Sequence, residues 1–251
     1  FFLYLFNYTP NQFVLVTADD RLKPIAGYSF HHSLPADTIP PALLNHLDIQ
    51  QRDLEWFENT GTQPPQYVSD TWERASAKYT VKSIVEPLID VYWNQDYPYN
   101  ALCPEDPSGP GGHAYAGCVA TAMAQNMKYW NYPNRGQGSH SYYHDQYGDI
   151  SADFSAQDYD WENMPVASAS FNHPIALLQF HCGVAVEMGY SAQGSGAWVG
   201  FGYPSSLTAL KEYFSYSQDM VFRSKDEHTN AEWISLLKSD LNMGRPLIYR
   251  G

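Results

Sequence analysis

The chain has 251 residues, 44% hydrophobic and 16% aromatic but only 16% charged, against roughly 25% charged in an average soluble domain. That composition excludes intrinsic disorder and supplies apolar surface for one large core or two unequal ones. The formal net charge is −13 and no Lys/Arg cluster could follow a phosphate backbone, which excludes nucleic acid as a partner; no apolar run approaches the roughly 20 residues a membrane span needs.

The opening Phe1-Phe2-Leu3-Tyr4-Leu5-Phe6 has no basic leader and no small-residue cleavage site, so it reads as a strand entered partway through a longer precursor. Phe13-Val14-Leu15-Val16-Thr17, the turn signal Ala18-Asp19-Asp20 and Pro24-Ile25-Ala26-Gly27-Tyr28 extend it into a small hairpin-rich sheet. Pro40 and Pro41 open a helical pattern through Leu43, Leu44, Leu47, Leu54 and Phe57, which ends before Asn59-Thr60-Gly61 and packs on that sheet. Residues 59–80 show little periodicity and read as an exposed connector, giving two expected domains, 1–75 and 76–251.

A short helix is expected around Ser83 to Leu88, then Trp93-Asn94-Gln95 and a Pro/Gly-rich loop from Tyr97 to Gly117. From Cys118 to Trp130 there is no Gly or Pro, and Val119, Ala122, Met123 and Met127 share one face, so a helix is expected there, stopped by Tyr132-Pro133. Residues 134–172 read as loops with short strands; Pro174 starts a helix closed by Gly183, and Val184 to Met188 is strand-like. Ser205 or Ser206 caps a helix through Leu207, Leu210 and Phe214. Thr229 with Glu232 forms a capping box for the next, and Pro246-Leu247-Ile248-Tyr249 begins a strand.

Three cysteines, Cys103, Cys118 and Cys182, make an odd count with no CxxC pair, which argues against a disulfide framework and a zinc knuckle. Cys118 stands at the first turn of its helix, where unpaired backbone N–H groups and the positive end of the macrodipole favour an anionic sulfur. Position alone allows two readings, a nucleophile or a buried small hydrophobe. The Gly/Pro-rich loop, which delivers the helix start to a surface, favours the first.

The run Gly117-Cys118-Val119-Ala120-Thr121-Ala122-Met123-Ala124-Gln125-Asn126-Met127-Lys128-Tyr129-Trp130-Asn131-Tyr132-Pro133 resembles the active-site helix of the streptopain family of secreted bacterial cysteine peptidases. The similarity extends to Trp93-Asn94-Gln95 with Tyr97-Pro98-Tyr99-Asn100, to Gly194-Ser195-Gly196-Ala197, to Leu210 through Tyr216 and to Pro246 through Tyr249, while Phe13 through Arg21 with Gly27-Tyr28-Ser29 looks like the family's propeptide. The resemblance implies an α+β fold: a papain-like cysteine peptidase core preceded by a small α+β prodomain. It makes Cys118 the nucleophile and matches Gln95 to the glutamine of a papain-like oxyanion hole, where donors are already aimed at developing negative charge. Ser195, with Gly194 and Gly196, matches the substrate-binding wall; a plain Gly/Ser turn is the other reading of those residues.

The family's catalytic histidine lies in a segment after the Pro-x-x-Tyr stretch, and its expected place is beyond Gly251. His113, five residues before Cys118, corresponds to a family histidine that is not the base. His31 and His32 fall in the propeptide; His140, His144, His173 and His228 sit in polar segments, and His181 reads as structural. No motif supports a metal site or a cofactor. The expected protein is thus the zymogen of a secreted, extracellular cysteine endopeptidase acting on peptide and protein substrates through an acyl-thioester on Cys118, with its own prodomain as inhibitory partner. The alternatives are a catalytically incomplete binding or inhibitory module, and a thiol acyltransferase on the same scaffold.

Overall fold

The computed structural model describes residues 3–8, 11–30, 32–34, 39, 41–76 and 85–250. The chain forms two compact units, Phe1–Lys82 and Ser83–Gly251. Both helices and sheets contribute, so the fold is α+β.

In the first unit, β1 (Leu3–Tyr8), β2 (Gln12–Thr17) and β3 (Ile25–Ser29) make an antiparallel sheet in that order, with Leu5 opposite Leu15 and Val14 opposite Tyr28. The turn between β2 and β3 is fixed by Asp19, whose carboxylate accepts from the Arg21 backbone at 3.0 Å and from its guanidinium at 2.6 and 2.8 Å. These bonds hold the Asp19 carboxyl below its ordinary range. Two helices follow, α1 (Pro41–Thr60) and α2 (Gln66–Ser76). α2 corrects the expectation of an exposed connector over residues 59–80. Its apolar side is narrow, Val68 and Trp72 one turn apart, and therefore leaves little periodic signal. Yet Val68 is buried, and the Trp72 indole donates to the Leu22 carbonyl at 2.8 Å.

The second unit is built on two helices in contact, α3 (Cys118–Trp130) and α4 (His173–Ala185). Ala120 and Ala124 keep the interface shallow, and Met123, Met127, Leu178 and Cys182 fill it, all with no exposed surface. The antiparallel pair β4 (Ser139–His144) and β5 (Gly148–Asp153) packs beside α4. Phe154, Tyr159, His181 and Phe214 stack into an aromatic cluster next to it. α5 (Ser206–Glu212) starts at Ser205, which with Thr208 forms a reciprocal cap, and α6 (Asn230–Asn242) at the expected Thr229/Glu232 box.

Five expectations are corrected here. Gly183 does not close α4, because the helix runs on to Ala185. Its lack of a side chain serves packing instead: a Cβ there would lie 2.2 Å from the Tyr190 hydroxyl. Val184 to Met188 is consequently not a strand; Val184 and Ala185 are helical and the chain turns at Glu187, φ 48°. An apolar run buried on all sides has no period to separate the two states. Pro246 to Tyr249 joins no ladder among the described residues, and a strand exists only when paired. Of the helix expected around Ser83 to Leu88, Ser83 and Ile84 lie outside the described residues and Val85 to Leu88 is not helical. Finally, α5 ends at Glu212, so Phe214 lies past it although fully buried.

Candidate active site

The loop from Tyr97 to Gly117 is folded around Asn100, which is completely buried. Its side-chain amide donates to the carbonyls of Pro110 at 2.8 Å, Ala114 at 3.1 Å and His113 at 3.3 Å. Asp106 anchors the outer part of the loop, accepting from the Tyr147 hydroxyl at 2.7 Å and from Gln146 at 3.0 Å. The Tyr147 bond and the Ser108 backbone N–H hold its carboxyl below the ordinary range.

The loop ends in Tyr115-Ala116-Gly117, and those residues join the parts of the site. Tyr115 N–H donates to Ser191 O at 3.1 Å, and Tyr115 O accepts from the Ser195 hydroxyl at 2.6 Å. Ala116 N–H donates to Gln95 O at 2.9 Å. Gly117, at φ 90°, is the N-cap of α3. A Cβ there would be strained by that φ, and would lie 2.5 Å from Met188 Sδ and 3.3 Å from Ser195 Cβ.

Cys118 is the first residue of α3 and is exposed, although Ala116, Gly117, Val119 and Ala120 around it are buried. No side chain caps the helix at Gly117, so its first-turn N–H groups point at whatever approaches the sulfur. The other two cysteines are buried: Cys103 is 3% exposed and Cys182 not at all. Burial pushes the Cys103 thiol up to about 12 and raises that of Cys182 further.

Gln95 is half-buried, and its backbone N–H is taken by Asn94 Oδ1 at 2.8 Å. The residues just before it are tied to both core helices: Gln125 on α3 donates to Trp93 O at 2.9 Å, and Gln179 on α4 to Asn94 O at 3.0 Å. Ser195 is buried with its hydroxyl turned inward, accepting from Ser191 N–H at 3.0 Å while donating to Tyr115. Gly194 and Gly196 beside it are exposed; Gly196 pairs with Gly189 through two backbone bonds of 2.9 and 3.3 Å. Cys118, Gln95 and the loop of Gly194 to Gly196 are thus all held on one three-residue segment. Sequence reasoning gave no role to the supports Asn100, Gln125, Met188 and Gln179: the first and second lie in stretches that carry the resemblance, but what each holds is set by partners 10 or more residues away.

Six of the described histidines have partners of their own. His113 Nδ1 donates to Cys103 O at 2.8 Å. His140 lies between Glu187, at 3.0 Å, and the Tyr213 hydroxyl, at 3.1 Å. His181 is buried against the Tyr159 hydroxyl at 2.9 Å, and burial lowers its pKa to about 4. His144 accepts from Gln146 N–H, His46 bonds Gln50, and His228 stacks on Trp233. Among the described residues no group of three or more His, Cys, Asp or Glu side chains is arranged to hold a metal ion.

Residues 93–251 match the model of the Peptidase C10 family, and residues 2–54 that of the Spi protease inhibitor. The thiol protease/hemagglutinin PrtT of Porphyromonas gingivalis is 30% identical over 255 residues, covering 95% of this chain and 28% of that protein. Streptopain of Streptococcus pyogenes is 28% identical over 271 residues, 99% of this chain and 64% of streptopain. This chain therefore spans less than two thirds of the length of either relative. Among solved structures, a prointerpain A fragment of Prevotella intermedia aligns with a TM-score of 0.71 at 28% identity, over 97% of this chain and 76% of that one. The active interpain A cysteine protease of the same organism aligns with 0.58 at 37% identity, over 65% and 68%.

Proposed function

Because this chain belongs to the Peptidase C10 family, we propose that it carries the nucleophile-bearing part of a secreted, extracellular cysteine endopeptidase made as a zymogen, with residues 1–75 as inhibitory prodomain. One observation carries the reading: Tyr115-Ala116-Gly117 presents an exposed thiol at an uncapped helix start and binds the Gln95 segment and the base of the Gly194–Gly196 loop on either side of it. That is the set acyl transfer needs: a nucleophile, donors for an oxyanion, and a wall for the substrate.

The Cys118 sulfur attacks the scissile carbonyl carbon, forming a C–S bond while the carbonyl electrons move onto oxygen. The backbone N–H of Cys118 and the side-chain amide of Gln95 stabilise that oxygen. On collapse the C–N bond breaks and the amine leaves with a proton; water then splits the thioester into carboxylic acid and thiol. The proton needs an imidazolium beside the sulfur. The bonds of His113, His140 and His181 hold those rings at other partners, and the reading gives this role to the family's histidine in the segment after the Pro-x-x-Tyr stretch. With the Ser195 hydroxyl spent on Tyr115 and Ser191, substrate contact at the wall falls to exposed Gly194 rather than to that side chain.

The similarity of residues 2–54 to the Spi protease inhibitor supports the prodomain's inhibitory role. The test is peptide cleavage by the full-length processed protein. Cys118→Ala is expected to lower kcat/KM roughly a thousandfold or more, and retention of wild-type turnover would overturn the assignment.

A further inference from the structure

Residues 93–95 present three successive carbonyls, and each is claimed by a donor from a different part of the second unit. Trp93 O accepts from Gln125 Nε2, Asn94 O from Gln179 Nε2 and Gln95 O from Ala116 N–H, at 2.9, 3.0 and 2.9 Å. Gln179 is fully buried, and its Oε1 accepts from the Thr121 hydroxyl at 2.8 Å. Reversing that amide would set its oxygen against the Asn94 carbonyl, so one orientation is enforced. Cys118, Thr121 and Gln125 stand at i, i+3 and i+7, along one stripe of α3. The stripe that begins with the thiol therefore continues with groups that grip, directly or through Gln179, the segment carrying Gln95.

Packing alone does not require a polar side chain at position 179. An apolar residue of the same shape could fill the volume without having to satisfy an amide in a buried site. A satisfied buried amide adds directionality. We propose that Gln179, with Gln125 beside it, is a positioning residue for transition-state stabilisation: it holds the backbone of residues 93–95 against α3, keeping the Gln95 amide aimed at the oxygen of a carbonyl attacked by Cys118. The proposal rests on the reading of Gln95 as an oxyanion donor. Oxyanion donors act through preorganisation, and a displacement of about 1 Å originating away from the reacting atoms can cost on the order of 100-fold.

The experiment is a cycle in the full-length processed protein with Gln179→Met, Gln95→Ala and the double variant, reading kcat, KM and the rate of iodoacetamide alkylation of Cys118. Alkylation needs the sulfur but forms no oxyanion. Gln179→Met is expected to lower kcat about tenfold, with KM and alkylation within about twofold of wild type; in the Gln95→Ala background it should cost less than about twofold more. Effects that multiply, or alkylation that falls in step with kcat, would overturn the positioning role while leaving the peptidase reading intact. A Gln95→Ala variant with wild-type kcat would remove the premise and the proposal together, and a wild-type protein that alkylates but cleaves no peptide would overturn the peptidase reading and this inference with it. Should Gln179→Met not fold, Gln125→Met at its half-buried site carries the same cycle with the same outcomes.

Discussion

A thiol reacts as its anion, and a dry apolar site disfavours the anion. Cys103 and Cys182 are in such sites, which leaves each protonated well above neutral pH, whereas Cys118 meets solvent at a helix start. The position of Cys118 was legible from local sequence, since a Gly/Pro-rich loop running into an alanine-rich helix marks an exposed N-terminus. The inward turn of the Ser195 hydroxyl was not, because its acceptor Tyr115 lies 80 residues away. His181 shows a different consequence of burial. Its folded pKa of about 4 lies below the ordinary value of 6.5, chiefly through desolvation, with nearby Asp153 opposing and His173 adding to the shift. As pH falls through 6.5 the unfolded chain takes up this proton first, so stability is lost progressively between about 6.5 and 4, by about 3 kcal/mol in all. His181→Gln, which keeps an acceptor for Tyr159, should lose correspondingly less over that interval in urea titrations at pH 7, 5.5 and 4. Equal losses in the two proteins would show that His181 is not the group responsible.

The helices that were read correctly announce themselves through contiguous residues. α6 has Thr229 and Glu232 three apart, and α3 has its glycine and its break-free interior. What escaped were features decided by partners distant in sequence. α2 buries Val68 and bonds Trp72 to Leu22, 50 residues away, α4 runs on past Gly183 where Tyr190 fills the space, and residues 246–249 join no ladder among the described residues. The start of α3 gives the sharpest prediction for a single element. Gly117→Ala must accommodate a methyl group at φ 90°, against buried Met188 and Ser195. The expected cost is about 1–3 kcal/mol, seen as a lowered urea midpoint together with slower alkylation of Cys118. Unchanged values of both would mean that the glycine is not needed to deliver the thiol.

For the molecule as a whole, the division into Phe1–Lys82 and Ser83–Gly251 allows the inhibitory role proposed for the first unit to be examined apart from the chemistry proposed for the second. The first unit has its own sheet, helices and buried residues, Leu15, Leu22, Leu54 and Val68. Residues 1–82, shown to be folded by circular dichroism, should inhibit the processed full-length enzyme in trans in a saturable, competitive manner. A folded fragment that leaves turnover unaffected at every concentration would remove the prodomain from the account.

The central claim is that peptide hydrolysis passes through a covalent bond to one sulfur, and rapid-quench intact-mass analysis of the full-length processed protein with a peptide ester reads that bond directly. The account predicts one added acyl group per molecule, mapping to the segment that contains Cys118 and absent from Cys118→Ala, with Cys103 and Cys182 unmodified. Turnover without an adduct, or an adduct on another residue that persists in Cys118→Ala, would contradict it.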